Sequence, residues 1–115
     1  MMKLHEAVRI DLGGDDSSEE RWRPGVVLRV GKTYAQVAYG SRVQPPPDVP
    51  TVVILPGSTA GTRMDVPDPT WFQGRNYAYA RKSDLKRLGC VCPMLVALEI
   101  AALVDDVGAT PPVPF

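Results

Sequence analysis

RWRPGVVLRVGKTYAQVAYGS, residues 21–41, decides the fold. Val26, Val27, Leu28 and Val30 make one apolar run, Gly31-Lys32 suits a tight turn, and Tyr34 to Tyr39 make a second run. Branched and aromatic residues bounded by Gly and Pro fit a pleated surface, so the stretch predicts a β-hairpin. Arg23, locked by Pro24, stands just before the first strand, and Ser41 stands just after the second. An antiparallel hairpin brings its open ends together, so Arg23 and Ser41 are expected close in space. A guanidinium beside a hydroxyl is the sharpest chemical pairing the chain offers. Each partner also has a simpler reading: the arginine as the counter-ion of a nearby acid, the serine as an ordinary turn residue.

Upstream, Leu4 to Leu12 (LHEAVRIDL) sets Ala7, Val8, Ile10 and Leu12 among polar residues and reads as a first strand. Gly13 to Glu20 (GGDDSSEE) holds no apolar residue to bury and reads as a flexible acidic loop. Trp22 closes that loop, either as its anchor or as a stacking face for a base. Downstream, Arg42 to Pro50 carries prolines that lack amide donors, so it cannot pair as a central strand and reads as a stiff connector. Thr51 to Leu55 (TVVIL) is a short strand, and residues 57–70 read as a long Gly-, Pro- and Asp-rich loop. Asn76 to Ala80 (NYAYA) suits a final short strand. Ser83 is placed to cap a turn of helix through Leu88, closed by Gly89. Pro93 then opens a second helix to about Val107, apolar on most sides, which must bury against the sheet or another subunit. The tail 109–115 reads as a loosely attached proline-rich extension beyond a single domain at 1–108. Strands first and a helix last predict a mainly β chain with a C-terminal α-helix: a small antiparallel barrel or curved sheet, helix-capped.

One modest core is what 115 residues can build. No apolar run approaches the ~20 residues of a membrane span. The N-terminus lacks the apolar region of a secretory signal, so a cytoplasmic protein with no membrane association is expected. Cys90 and Cys92 are too close in sequence for an unstrained disulfide and too few for a zinc site, and read as small apolar residues. Charge is zero overall but uneven. Residues 10–20 hold five acids and no base, while residues 21–87 hold eleven bases against four acids. Such a cationic stretch suits a polyanion or an acidic protein, and the simpler reading is a solvated mixed surface.

The words VRIDLGGDDSSEERWRPGVVLRV, AQVAYGS and YAYARKSDLKRLGCVCPMLVALEIAAL, in that order, resemble the MazF/PemK family of toxins. The resemblance spans most of the chain, with residues 44–74 unmatched. It implies a Src-homology-3-like barrel that dimerises, cleaves single-stranded RNA without a metal or other cofactor, and is held inactive by an acidic antitoxin. The family's catalytic arginine and hydroxyl fall on Arg23 and Ser41 here, although Gly40 separates Ser41 from the apolar strand. Trp22, Arg42 and Arg81 would be further RNA contacts. Arginine's fork suits a scissile phosphate whose charge grows during attack by the 2′-hydroxyl. The competing expectation is the same fold as an inactive binding module, of the kind a phage or mobile element carries, gripping a host protein or nucleic-acid complex. The altered serine context, the proline-rich insert and the single His5, poorly placed for acid–base work, motivate it.

Overall fold

The hairpin forms with its turn where the sequence puts it. In the computed structural model, which describes residues 1–13, 22–108 and 110–115, β2 runs Trp22–Val30 and β3 runs Tyr34–Ser41. Val30 faces Ala35, and after a register shift at Leu28 the ladder continues through Val26–Ala38 to Gly25–Tyr39. Four further strands complete the sheet: β1 (Glu6–Asp11), β4 (Thr51–Ile54), β5 (Thr70–Arg81) and β6 (Lys86–Val91). Their order is β4-β5-β3-β2-β1-β6, every neighbouring pair antiparallel, and the whole curls into a half-barrel. Two helices accompany it, α1 (Thr59–Arg63) and α2 (Met94–Asp105). The chain is therefore mainly β with a C-terminal helix.

Period-two alternation sends successive residues to opposite faces, and both faces of this sheet are covered. Ala7, Val26, Leu28, Ala38 and Phe72 pack with Ile100 and Val104 of α2. Val8, Ile10, Val27, Ala35 and Val37 form a second cluster with Met2 and Leu85. Gly74 lets β5 meet α2, since a Cβ there would strike the carbonyl of Leu103. No helix among the described residues is long and apolar enough to cross a membrane.

Four expectations need correction. The strand expected at Asn76–Ala80 is the second half of β5, whose first half pairs Trp71 and Phe72 with both β3 and β4. Gln73-Gly74-Arg75 breaks the apolar pattern and hid that continuity. The helical turn expected after Ser83 is a 3-10 turn at Lys82–Asp84 without a side-chain cap, followed by β6. Cross-strand pairing with β1 outweighs the local cap signals there. The loop 57–70 contains α1, whose cap is the Ser58 hydroxyl accepting from the Gly61 amide at 3.0 Å. The tail is seated rather than loose. The Phe115 carbonyl accepts from the amides of Thr33 and Tyr34, and its ring meets Tyr79 edge-on at 5.7 Å. The acidic loop, from residue 14 to Arg21, lies outside the described residues.

The proline-rich stretch 42–50 stays out of the sheet, as its missing amide donors require. Helix α2 buries Ala97, Ile100 and Val104 against the sheet while Met94, Leu95 and Leu98 remain 65%, 72% and 50% exposed.

Candidate functional site

The β2–β3 ladder ends at the Gly25–Tyr39 pair, and beyond it, at the hairpin's open end, Arg23 and Ser41 line one crevice. Pro24 sits in β2 opposite Arg9 of β1, next to Arg23, and carries no amide hydrogen to donate. Gly40 is required on the other side. A Cβ there would collide with the Thr70 methyl and lie 2.9 Å from the Phe72 ring, which is fully buried. The register shift between Ala38 and Gly40 in the β3–β5 ladder falls at the same place. Close approach and bulge together aim the strand end so that Ser41 closes the crevice beside Arg23.

That crevice, about 30 Å³, is lined by Trp22, Arg23, Pro24, Gly40, Ser41, Arg42 and Thr70. At that size it is too small for a whole phosphate group but exceeds the ~10–15 Å³ that a water-sized group needs. The Ser41 Oγ accepts from the Val43 amide at 3.1 Å. That bond uses one of its two acceptor lone pairs and leaves the O–H available as a donor. The Arg23 side chain makes no ion pair or hydrogen bond among the described residues. Arg42 reaches Asp68 at 3.1 Å, but both side chains are about half exposed, and such a pair is worth ~1 kcal/mol at most.

Trp22, Pro24, Arg42 and Thr70 also wall a larger adjoining cleft of about 390 Å³, completed by Arg9, Lys86, Asp65, Pro67 and Asp68. Its size falls within the ~300–1,000 Å³ of ordinary ligand pockets. The Lys86 ammonium lies 4.1 Å above the Trp22 ring, so this indole anchors a cation at the cleft wall. Burial lowers the Arg9 pKa below its usual value, with Asp65 opposing the shift. Sequence reasoning missed Arg9 and Lys86. The only signal for Arg9 was its parity with buried Ala7, and Lys86 was hidden by the helical reading of its segment.

The other expected residues fall elsewhere. Arg81 pairs with Tyr34, the first residue of β3, whereas Ser41 is the last, roughly 23 Å away along the strand. His5 precedes β1, while Arg23 is opposite Ile10 near that strand's other end. Cys92 is buried and its thiol is pushed up to about 11 by loss of solvation, which removes it as a nucleophile near neutral pH. Cys90 donates its thiol hydrogen to the Arg63 carbonyl at 2.6 Å. Among the described residues no three His, Cys, Asp or Glu side chains gather where they could hold a metal ion.

Compared with protein-family models and with curated proteins, the chain matches none.

Proposed function

We propose that this chain is a MazF/PemK-like endoribonuclease acting on single-stranded RNA. The observation that carries the reading is the crevice lined jointly by Arg23, Ser41 and Arg42. The Arg23 guanidinium holds the scissile phosphate, with Arg42 as a second cationic wall. The 2′-hydroxyl gives its proton to solvent water as its oxygen attacks phosphorus, the bond to the 5′-oxygen breaks and that oxygen takes a proton from water, and the products are a 2′,3′-cyclic phosphate and a 5′-hydroxyl. Negative charge on the non-bridging oxygens grows in that step, and the free N–H fork of Arg23 and the O–H of Ser41 stabilise it. DNA lacks the nucleophile and is not cut. The test is incubation of wild type with mixed single-stranded RNA in chelator: fragments ending in cyclic phosphate are expected, and intact RNA after hours refutes cleavage.

The cationic stretch between residues 21 and 87 gives an acidic antitoxin a surface to neutralise. The exposed Met94, Leu95 and Leu98 on α2 suit burial against a second copy. Light scattering should return the mass of a homodimer, and a strict monomer would contradict that part.

One observation favours the alternative of an inactive binding module. The crevice lining includes neither a histidine nor a carboxylate to take the 2′-hydroxyl proton. In that reading the same arginines grip a nucleic acid or an acidic protein without cutting it. Binding of RNA at the Arg23 crevice with no cyclic-phosphate product separates the two.

A further inference from the structure

The larger cleft carries a second, distinct chemical feature. Arg9 of β1 and Lys86 of β6 are directly opposed Cα partners, and both line this cleft. Like charges set face to face across antiparallel strands oppose folding unless something neutralises them. The local compensation is incomplete. The Arg9 Nη2 donates to the backbone carbonyl of Asp65 at 2.5 Å, but its Nη1 is buried with no partner among the described residues. Asp65 itself adopts a positive φ of 53°, a conformation that side-chain-bearing residues rarely take, and this turns its carbonyl onto Arg9. Lys86 is held over the Trp22 ring at 4.1 Å and makes no ion pair among the described residues. The fold therefore fixes two cations side by side, one with an unsatisfied N–H, in a cleft that shares its wall with the Arg23–Ser41 crevice.

We propose that the Arg9–Lys86 pair is a second phosphate subsite, taking the phosphodiester next to the one held at the Arg23–Ser41 crevice. An anionic oxygen placed against the two side chains in the cleft pairs with both cations and removes the like-charge repulsion. Trp22, lining both cavities, separates the two phosphates and positions Lys86. The subsite rests on the reading that a single-stranded RNA occupies the crevice, and it holds whether or not that RNA is cut.

The test uses a fluorescent 2′-O-methyl oligoribonucleotide, which lacks the attacking hydroxyl, so that binding is read apart from cleavage. Affinity is measured across salt concentrations for wild type, Arg9→Gln, Lys86→Gln and, as control, Arg75→Gln, which lies against α2. Each lost phosphate contact on a single strand flattens the plot of log affinity against log salt by about 0.7. Arg9→Gln and Lys86→Gln are each expected to show that loss and bind roughly tenfold more weakly at low salt, with Arg75→Gln unchanged. Lys86 is exposed, so its variant answers even if Arg9→Gln fails to fold. A dinucleotide with an added terminal phosphate should bind wild type more tightly than one without it, and Lys86→Gln should not distinguish the two. An unchanged slope in Lys86→Gln, with the discrimination retained, overturns the subsite. Binding that shows these losses while natural RNA stays uncut refutes the nuclease reading and leaves the subsite standing. Wild type that binds no oligonucleotide refutes both.

Discussion

At the end of β3, Gly40 has no room for a side chain, because Thr70 and the Phe72 ring fill the space a Cβ would need. The sequence alone made this glycine look like a displacement of Ser41 from its strand. With the bulge beside it, Gly40 instead brings β3 against β5 closely enough for Ser41 to share a crevice with Arg23. Gly40→Ala must displace the Thr70 methyl and crowd the Phe72 ring, and is expected to destabilise the protein by about 1–3 kcal/mol in urea unfolding. A midpoint equal to wild type would mean that the strands can separate at no cost. The Arg23–Ser41 proximity was legible from the chain because a hairpin's open end is fixed by its turn. The Arg9–Lys86 pairing was not, since its two halves lie 77 positions apart and neither carries a local mark.

At the scale of the elements, α2 divides into a buried face and an exposed one. Ile100→Ala removes a fully buried side chain from the cluster with Phe72 and Val104 and should cost about 2–5 kcal/mol. Leu95→Ala, at 72% exposure, should change the stability of the isolated protomer by no more than about 0.5 kcal/mol. Equal losses in the two variants, by urea denaturation at low protein concentration, would contradict the assigned face. The helix was legible from its apolar run after Pro93. Strand β6 was not: Ser83, Leu85, Leu88 and Gly89 imitate a capped helical turn, and only pairing with β1 settles the matter. Leu85 is buried in one cluster and Leu88 packs against the other, as alternation in a strand near the sheet's edge allows. Long β5 was half legible, because its polar centre at Gln73-Gly74-Arg75 faces α2 and its surroundings rather than a uniform core.

Across the whole molecule, the first and last strands in chain order, β1 and β6, are tied by Arg87 and buried Glu6, whose Oε1 accepts from Arg87 Nη2 at 2.8 Å. The Arg87 side chain holds the Glu6 carboxyl below its usual 4.5, burial opposes this, and the Lys3 amide assists. A folded value below the unfolded one means the carboxylate stabilises the fold above about pH 4.5 and that this contribution is lost as pH falls through the lowered value. Wild type should therefore lose more stability than Glu6→Gln between about pH 6 and about pH 3, read as thermal midpoints. Parallel losses would contradict the role given to the pair. At this scale the curled sheet brings Arg23 and Ser41 to one crevice beside a cleft lined by Arg9, Arg42 and Lys86, and the proposed nuclease reading rests on that arrangement. The most direct test is the rate of single-stranded RNA cleavage by wild type beside Arg23→Ala and Ser41→Ala, all confirmed folded. Wild type should yield cyclic-phosphate ends, with Arg23→Ala slower by about a hundredfold or more and Ser41→Ala slower by a smaller factor. Cleavage that persists undiminished in Arg23→Ala, or that wild type never performs, would contradict the account.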